Sequence, residues 1–128
     1  MRRGEIVNMR GEHLEGTTLK IPETKTDRPR VIPLNDVALG ILESLPPRAD
    51  GFMWGVRADS MTQAFARAAK RAGLADITIH DTRHEATSRL FELGLGIHEV
   101  AAITGHADWE SLKRYTHPKP EHIRKKLV

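Results

Sequence analysis

Thr17-Thr18-Leu19-Lys20-Ile21-Pro22-Glu23-Thr24-Lys25-Thr26-Asp27-Arg28-Pro29-Arg30-Val31-Ile32-Pro33-Leu34 is the stretch that decides the fold class. Two β-rich runs, Thr17–Ile21 and Arg30–Leu34, flank the turn-forming residues Lys25–Pro29, a pattern that predicts an antiparallel hairpin with Lys25 near its tip. Downstream, apolar residues recur at helical spacing. Asn35 or Asp36 can cap a helix carrying Ala38, Ile41, Leu42 and Leu45, which Pro46-Pro47 stops. Ser60 offers a cap for Met61, Phe65, Ala68, Ala69 and Ala72, closed by Gly73. His80 opens a third helix with Ala86, Leu90 and Leu93 on one face, and Ile97, Val100 and Ala101 mark a fourth that ends at Gly105. A helix holding Tyr115 starts at Asp108 or Ser111, Pro118 and Pro120 break it, and a short basic helix follows over Glu121–Leu127. Upstream of the hairpin, residues 2–8 read as a short helical piece whose Ile6 and Val7 lack preceding partners, so the chain reads as truncated at its N-terminus. The expectation is a mainly α domain with a small antiparallel β-sheet (α+β), in one unit over residues 1–128: hairpin about 17–34, helical core about 35–117, basic tail about 118–128.

Composition sets outer limits. A 39% hydrophobic content is ordinary for a domain with a real core. No run of about 18 apolar residues and no apolar segment behind a basic start can be read, so a cytoplasmic protein without membrane contact is expected. The absence of cysteine excludes disulfides, thiolate catalysis and thiolate zinc sites. Twenty basic against seventeen acidic side chains is a mild excess that permits nucleic-acid binding. Its distribution says more, because Lys113, Arg114, Lys119, Arg124, Lys125 and Lys126 crowd the last sixteen residues, with Glu121 the sole acid among them.

Tyr115 is the only tyrosine, nine positions after His106, in a segment that suits a nucleophile. A phenol with pKa near 10 needs a base or a positive surrounding to react at neutral pH, and His80 is the expected base. Phosphoryl transfer spreads charge over non-bridging oxygens, so catalysis wants fixed cations facing them. Arginine suits best, since its planar fork binds two oxygens and stays protonated. Arg2 and Arg83 are the expected clamp, with Arg3 the competitor of Arg2, and Lys25 the expected acid. His80 and Arg83 are three apart, on one side of a helix's first turn, where the helix N-terminus adds positive potential. Gly105 permits close backbone approach, so that His106 can donate to a phosphate oxygen under attack by Tyr115. Lys20, Arg28 and Arg30 on the hairpin, with Lys113 and Arg114 beside the tyrosine, are candidates for contacts to the DNA backbone.

Arg2-Arg3-Gly4-Glu5, Lys25-Thr26, His80-Asp81-Thr82-Arg83-His84, Thr104-Gly105-His106 and Arg114-Tyr115-Thr116-His117-Pro118 together resemble the tyrosine recombinases, or phage-type integrases, over nearly the whole chain. The resemblance implies that Arg2, Lys25, His80, Arg83 and His106 surround a scissile phosphate that Tyr115 attacks. It implies a 3′-phosphotyrosyl link and a free 5′-hydroxyl, resolved by a partner strand without ATP, metal or other cofactor. The implied partner is double-stranded DNA at a specific target site, bound by a homotetramer that exchanges C-terminal tails, in a nucleoid setting in a prokaryote or phage, with no small-molecule substrate. Glu5 in this resemblance holds the helix and not the phosphate. Thr104 stands where the family commonly has leucine, a change expected to affect helix packing more than chemistry. Three other readings compete: an inactive DNA-binding remnant, a type IB topoisomerase-like enzyme, and a metal hydrolase built on His80 and His84. The last lacks the glutamate that metalloprotease motifs place after the first histidine. His84 is expected to pack or to hydrogen-bond locally.

Overall fold

The computed structural model describes residues 1–24 and 28–127. Lys25, the expected hairpin-tip lysine, lies outside the described residues. Among them the chain forms a three-stranded antiparallel sheet and six α-helices, with two 3₁₀ segments.

The hairpin forms where the β-rich runs predict it, as β2 (Thr18–Ile21) and β3 (Arg30–Pro33), with Leu19 opposite Ile32 and Ile21 opposite Arg30. A short strand, β1 (Leu14–Glu15), adds to the open edge of β2, pairing Leu14 with Leu19. The pattern search passed over it because two residues show no alternation. The turn between β1 and β2 passes through Gly16 at φ +57°, a conformation that costs little only without a Cβ. Alternation places Leu19, Ile21 and Ile32 on one face, where they join Met9 and Leu42 in a first apolar cluster.

The helices follow the expected cap chemistry with shifted starts. α1 spans Arg3–Val7. α2 (Asp36–Ser44) is capped by Asn35, whose Oδ1 accepts from the Ala38 N–H at 2.8 Å. α3 (Ala58–Arg71) begins two residues before Ser60, which is therefore interior to the helix, and packs against α1. α4 (Ile79–Glu92) is capped by Thr78 in a reciprocal box with Asp81: Asp81 Oδ2 accepts from the Thr78 N–H at 2.8 Å. α5 (Ile97–Thr104) ends in Gly105 at φ +79°. Leu93, expected in the core, is 77% exposed because it is the residue that ends α4, beyond the buried Arg83–Thr87 face. Ala86 is exposed as well. The tyrosine segment is a 3₁₀ helix, Trp109–Tyr115, and not the expected α-helix; Asp108 opens it, accepting from the Glu110 N–H. α6 covers Pro120–Arg124, with Ile123 and Leu127 both exposed.

A second apolar cluster of Val100, Ala101 and Leu112, backed by Leu90, Phe91 and Tyr115, packs α5 against α4 and the 3₁₀ segment. The clusters are joined by a buried ion pair. Arg30 on β3 donates through Nη1 and Nη2 to the two Glu5 carboxylate oxygens at 2.8 and 2.9 Å, and through Nε to the Ile103 carbonyl at 3.2 Å. Glu5 Oε2 also accepts from the Arg2 N–H at 2.8 Å. Burial works to raise the Glu5 carboxyl, but the bonds from Arg30 and from the Arg2 N–H outweigh it and hold the group below its ordinary value.

Removing one partner leaves the other charge buried, so Glu5→Ala is expected to lower the unfolding free energy by about 3–5 kcal/mol in urea denaturation. Because the folded carboxyl is depressed, its contribution is complete above the ordinary carboxylate range and is lost as pH falls through the lower folded value. The variant should lack that acid limb.

Candidate active site

The start of α4 presents His80, Arg83 and His84 over its first two turns. Spacings of three and four put them on neighbouring parts of one face. Asp81, between them, is turned back to the helix cap, and the Thr78 bonds hold its carboxyl below the usual range. Arg83 is 7% exposed, and the Thr87 hydroxyl donates to its carbonyl at 2.8 Å. Arg2, Arg3, His80 and Arg83 line one open cleft between α1 and the start of α4. Within it, Arg3 is tied to α3, Nη1 donating to the Thr62 hydroxyl at 2.9 Å. Arg2 precedes α1, and its backbone N–H donates to Glu5.

Tyr115 comes from the 3₁₀ segment and lies against α4. Its hydroxyl is hydrogen-bonded to His84 Nδ1, and Arg114 Nη2 donates to the same hydroxyl at 3.1 Å and towards His84 Nδ1 at 3.3 Å. The Arg114 guanidinium folds over the phenol ring at 5.0 Å, and Phe91 stacks on it at 6.4 Å between centroids. His80, the expected base, meets His84 edge-on with ring centroids 4.4 Å apart. The imidazole on the tyrosine is thus His84, one helical turn nearer the 3₁₀ segment; of the two expectations, packing or a local hydrogen bond, it makes a hydrogen bond, to a partner 31 positions along the chain. Burial, then the neighbouring His80 and Arg114, push the His84 imidazolium below the ordinary histidine value, against an opposing pull from Asp81. At neutral pH it carries a lone pair.

His106 follows the left-handed Gly105. A Cβ there would come within 2.7 Å of the Arg30 guanidinium, so glycine is required by both backbone angle and space. The buried Thr104 hydroxyl donates to the Val100 carbonyl at 2.8 Å and meets His106 Nδ1 at 2.6 Å. A hydroxyl has one proton to give; with that proton on Val100, the second contact is His106 Nδ1–H donating to Thr104. Thr104 therefore fixes the tautomer and orientation of His106, a role beyond the packing effect read from the sequence. The signal was available in the Thr-Gly-His spacing itself, which puts a hydroxyl two residues before the imidazole.

The remaining expected residues disperse. Arg30 is turned inward, its guanidinium occupied by Glu5 and Ile103, so the expected backbone-contact role gives way to a structural one. Lys20 and Arg28 are exposed on the sheet side. Lys113 pairs with Glu110 at 2.6 Å on the surface, which raises its pKa. Among the described residues, no group of three His, Asp or Glu side chains gathers to hold a metal, so His80 and His84 lack the third ligand that the hydrolase reading needs. No described helix is long and apolar enough to cross a membrane.

Comparison with known proteins places the site in a context. The phage integrase family model matches residues 1–122. The shufflon-specific DNA recombinase of Escherichia coli is 39% identical over 130 residues, covering 99% of this chain and 34% of that protein. The crystal structure of XerA recombinase superposes with a TM-score of 0.79 at 18% identity over 98% of this chain and 51% of its own. XerH site-specific recombinase, bound to its difH substrate before cleavage, gives 0.75 at 20% identity, over 98% of this chain and 42% of its own. At such identities the structural likeness speaks for the fold alone. The chain spans about a third of the length of the Escherichia coli relative.

Thr104→Val keeps the shape and removes the acceptor. Nitrogen-resolved NMR of the imidazole should show His106 protonated at Nδ1 in the wild type and shifted towards the Nε2–H tautomer in the variant, with a stability change within about 1–2 kcal/mol.

Proposed function

The chain belongs to the phage integrase family, and on that premise we propose that it is the catalytic domain of a tyrosine site-specific recombinase, cleaving and rejoining DNA through a transient 3′-phosphotyrosyl intermediate. The observation that carries the reading is the arrangement along α4. Its first turn lines a cleft with Arg2 and Arg83, and its second turn touches the hydroxyl of Tyr115.

A phosphate in that cleft meets the Arg83 guanidinium, the Arg2 side chain and the positive end of α4, a fourteen-residue helix. His80 at the rim adds a donor, and His106, which Thr104 orients, is assigned to the same phosphate, donating from Nε2 when its ring carries both protons. These groups stabilise the charge that builds on the non-bridging oxygens as Tyr115 attacks phosphorus and the 5′-oxygen departs. Lys25 is assigned the proton for that oxygen. The phosphotyrosine preserves the bond energy, so the partner strand's 5′-hydroxyl can reverse the reaction without ATP or metal.

The target is double-stranded DNA, engaged by the exposed Lys20, Arg28 and Arg114 and the basic tail, in the cytoplasm at the nucleoid. The XerH complex, a recombinase bound to its DNA substrate, supports that partner. α6, with exposed Ile123 and Leu127, is assigned to a neighbouring protomer in a DNA-bound homotetramer.

Tyr115→Phe is expected to retain DNA binding and to give no adduct surviving SDS when incubated with a randomised library of nicked duplexes; an adduct from that variant overturns the assignment. Arg83→Ala should cut the cleavage rate about a hundredfold or more. Binding should weaken steeply with salt, as phosphate contacts release counterions, and a flat response in a titration argues against DNA.

A further inference from the structure

We propose that His84 is a catalytic residue of the strand-cleavage step, the base that takes the phenolic proton of Tyr115 through Nδ1 while Arg114 holds both partners. The proposal rests on the recombinase reading above and names a group which that reading leaves unassigned.

Geometry fixes the proton inventory. A guanidinium has five N–H donors and no acceptor, so in both of its contacts Arg114 Nη2 donates, to the Tyr115 oxygen and towards His84 Nδ1. His84 Nδ1 must then carry a lone pair, with the ring proton on Nε2. The Tyr115 oxygen accepts from Arg114, which leaves its own hydrogen directed at that lone pair. Three groups thus form a closed relay with one possible direction of transfer. Arg114 further stabilises negative charge as it develops on the phenol oxygen, and the Phe91 ring stacks on the phenol.

The step balances. The Tyr115 O–H bond breaks and its proton joins Nδ1, giving an imidazolium. The freed electron pair forms the O–P bond, and the P–O5′ bond breaks with its pair leaving on the 5′-oxygen, which is protonated by the ammonium assigned above to Lys25. On rejoining, the 5′-hydroxyl attacks phosphorus and the His84 imidazolium returns the proton to the departing tyrosine. Only this chain and the DNA take part.

The groups facing His84 are His80, Asp81 and Arg83 from α4 and Arg114 and Tyr115 from the 3₁₀ segment. Burial first, then His80 and Arg114, hold the imidazole below the ordinary histidine value, so it is competent at neutral pH without prior deprotonation. A weak base against a phenol cannot form free phenolate, and transfer must accompany attack on phosphorus. Below the depressed histidine value the base is lost, and the wild-type rate falls.

The test compares wild type and His84→Gln, which can still accept a hydrogen bond from the phenol but cannot take its proton. Cleavage rates are measured from about pH 5.5 to 9.5 on duplexes recovered from the adduct library. Wild type should reach a plateau by neutral pH. His84→Gln should be slower by about a hundredfold or more at pH 7 and gain rate with pH up to the phenol's own ionisation, narrowing the gap. A 5′-bridging phosphorothiolate substrate, whose leaving thiolate needs no acid, should show the same deficit. Restoration of the rate by that substrate would make His84 an acid and overturn the proposal. So would a deficit equal at every pH, or a variant as fast as wild type. His84→Asn, with unchanged circular dichroism and DNA binding, should repeat the profile and exclude misfolding as its cause. A wild-type chain that yields no adduct would instead overturn the recombinase reading, and the role of His84 with it.

Discussion

The Glu5–Arg30 ion pair is the contact on which the site's geometry depends. One guanidinium, its side chain 9% exposed, reaches three elements: Glu5 at the start of α1, its own strand β3, and the Ile103 carbonyl near the end of α5. Glu5 in turn holds the Arg2 N–H. Arg2 and the loop of His106, separated by about a hundred residues of chain, are thereby fixed to opposite ends of the same pair. A lysine could not do this, because three directed donors in one plane are needed, and a larger residue than glycine at position 105 would meet the guanidinium. Burying two charges costs solvation that the pair regains only with every lone pair and proton satisfied. Here the two carboxylate oxygens and three of the guanidinium nitrogens are all engaged.

Much of this was legible in the sequence, and what was not has physical causes. The hairpin, the Asn35 cap and the Gly105 stop all rest on interactions within a few residues, which local chemistry determines. The Glu5–Arg30 pair spans 25 positions, so periodicity gave Arg30 to the outside of a hairpin while tertiary packing turned it inward. Leu93 obeyed helical spacing but falls at the end of α4, where no neighbour covers it. For His84 the pattern was visible, four residues after His80 and adjacent to Arg83, yet its phase relative to Tyr115 depended on where the tyrosine segment docks. Thr104 was read as a packing change because it stands where the family commonly has leucine, and its contact with His106 adds an orienting role.

α4 performs two tasks because helical spacing divides its side chains. His80 and Arg83 occupy the first turn, within reach of the dipole's positive end, while His84 is carried round to the next turn. Asp81, the one acid in the group, is held ionised by the Thr78 cap, where it steadies the helix start while pulling the His84 pKa upward against the cations around it. Arg83 lies buried at the cleft between α1 and the start of α4, which Arg2, Arg3 and His80 also line.

The 3₁₀ form of the tyrosine segment completes the placement. With three residues per turn, side chains three apart align on one edge, so Leu112 lies directly behind Tyr115 along the segment. Leu112 has no exposed surface and Val100, against which it packs, has none either. The most completely buried contact of the second cluster thus sits one turn from Tyr115 and sets the direction of the phenol. An α-helix of the same seven residues would be roughly 10 Å long, against about 14 Å at the 3₁₀ rise, and would rotate residue 115 off the Leu112 edge by about 60°. The hydroxyl would then miss His84. The tighter helix has poorer backbone hydrogen bonds, and the Asp108 cap together with the Leu112 anchor offsets that weakness. The tyrosine is held from behind by packing and in front by two polar side chains, so small movements of the segment change the alignment of the O–H bond with Nδ1 before they disturb the fold.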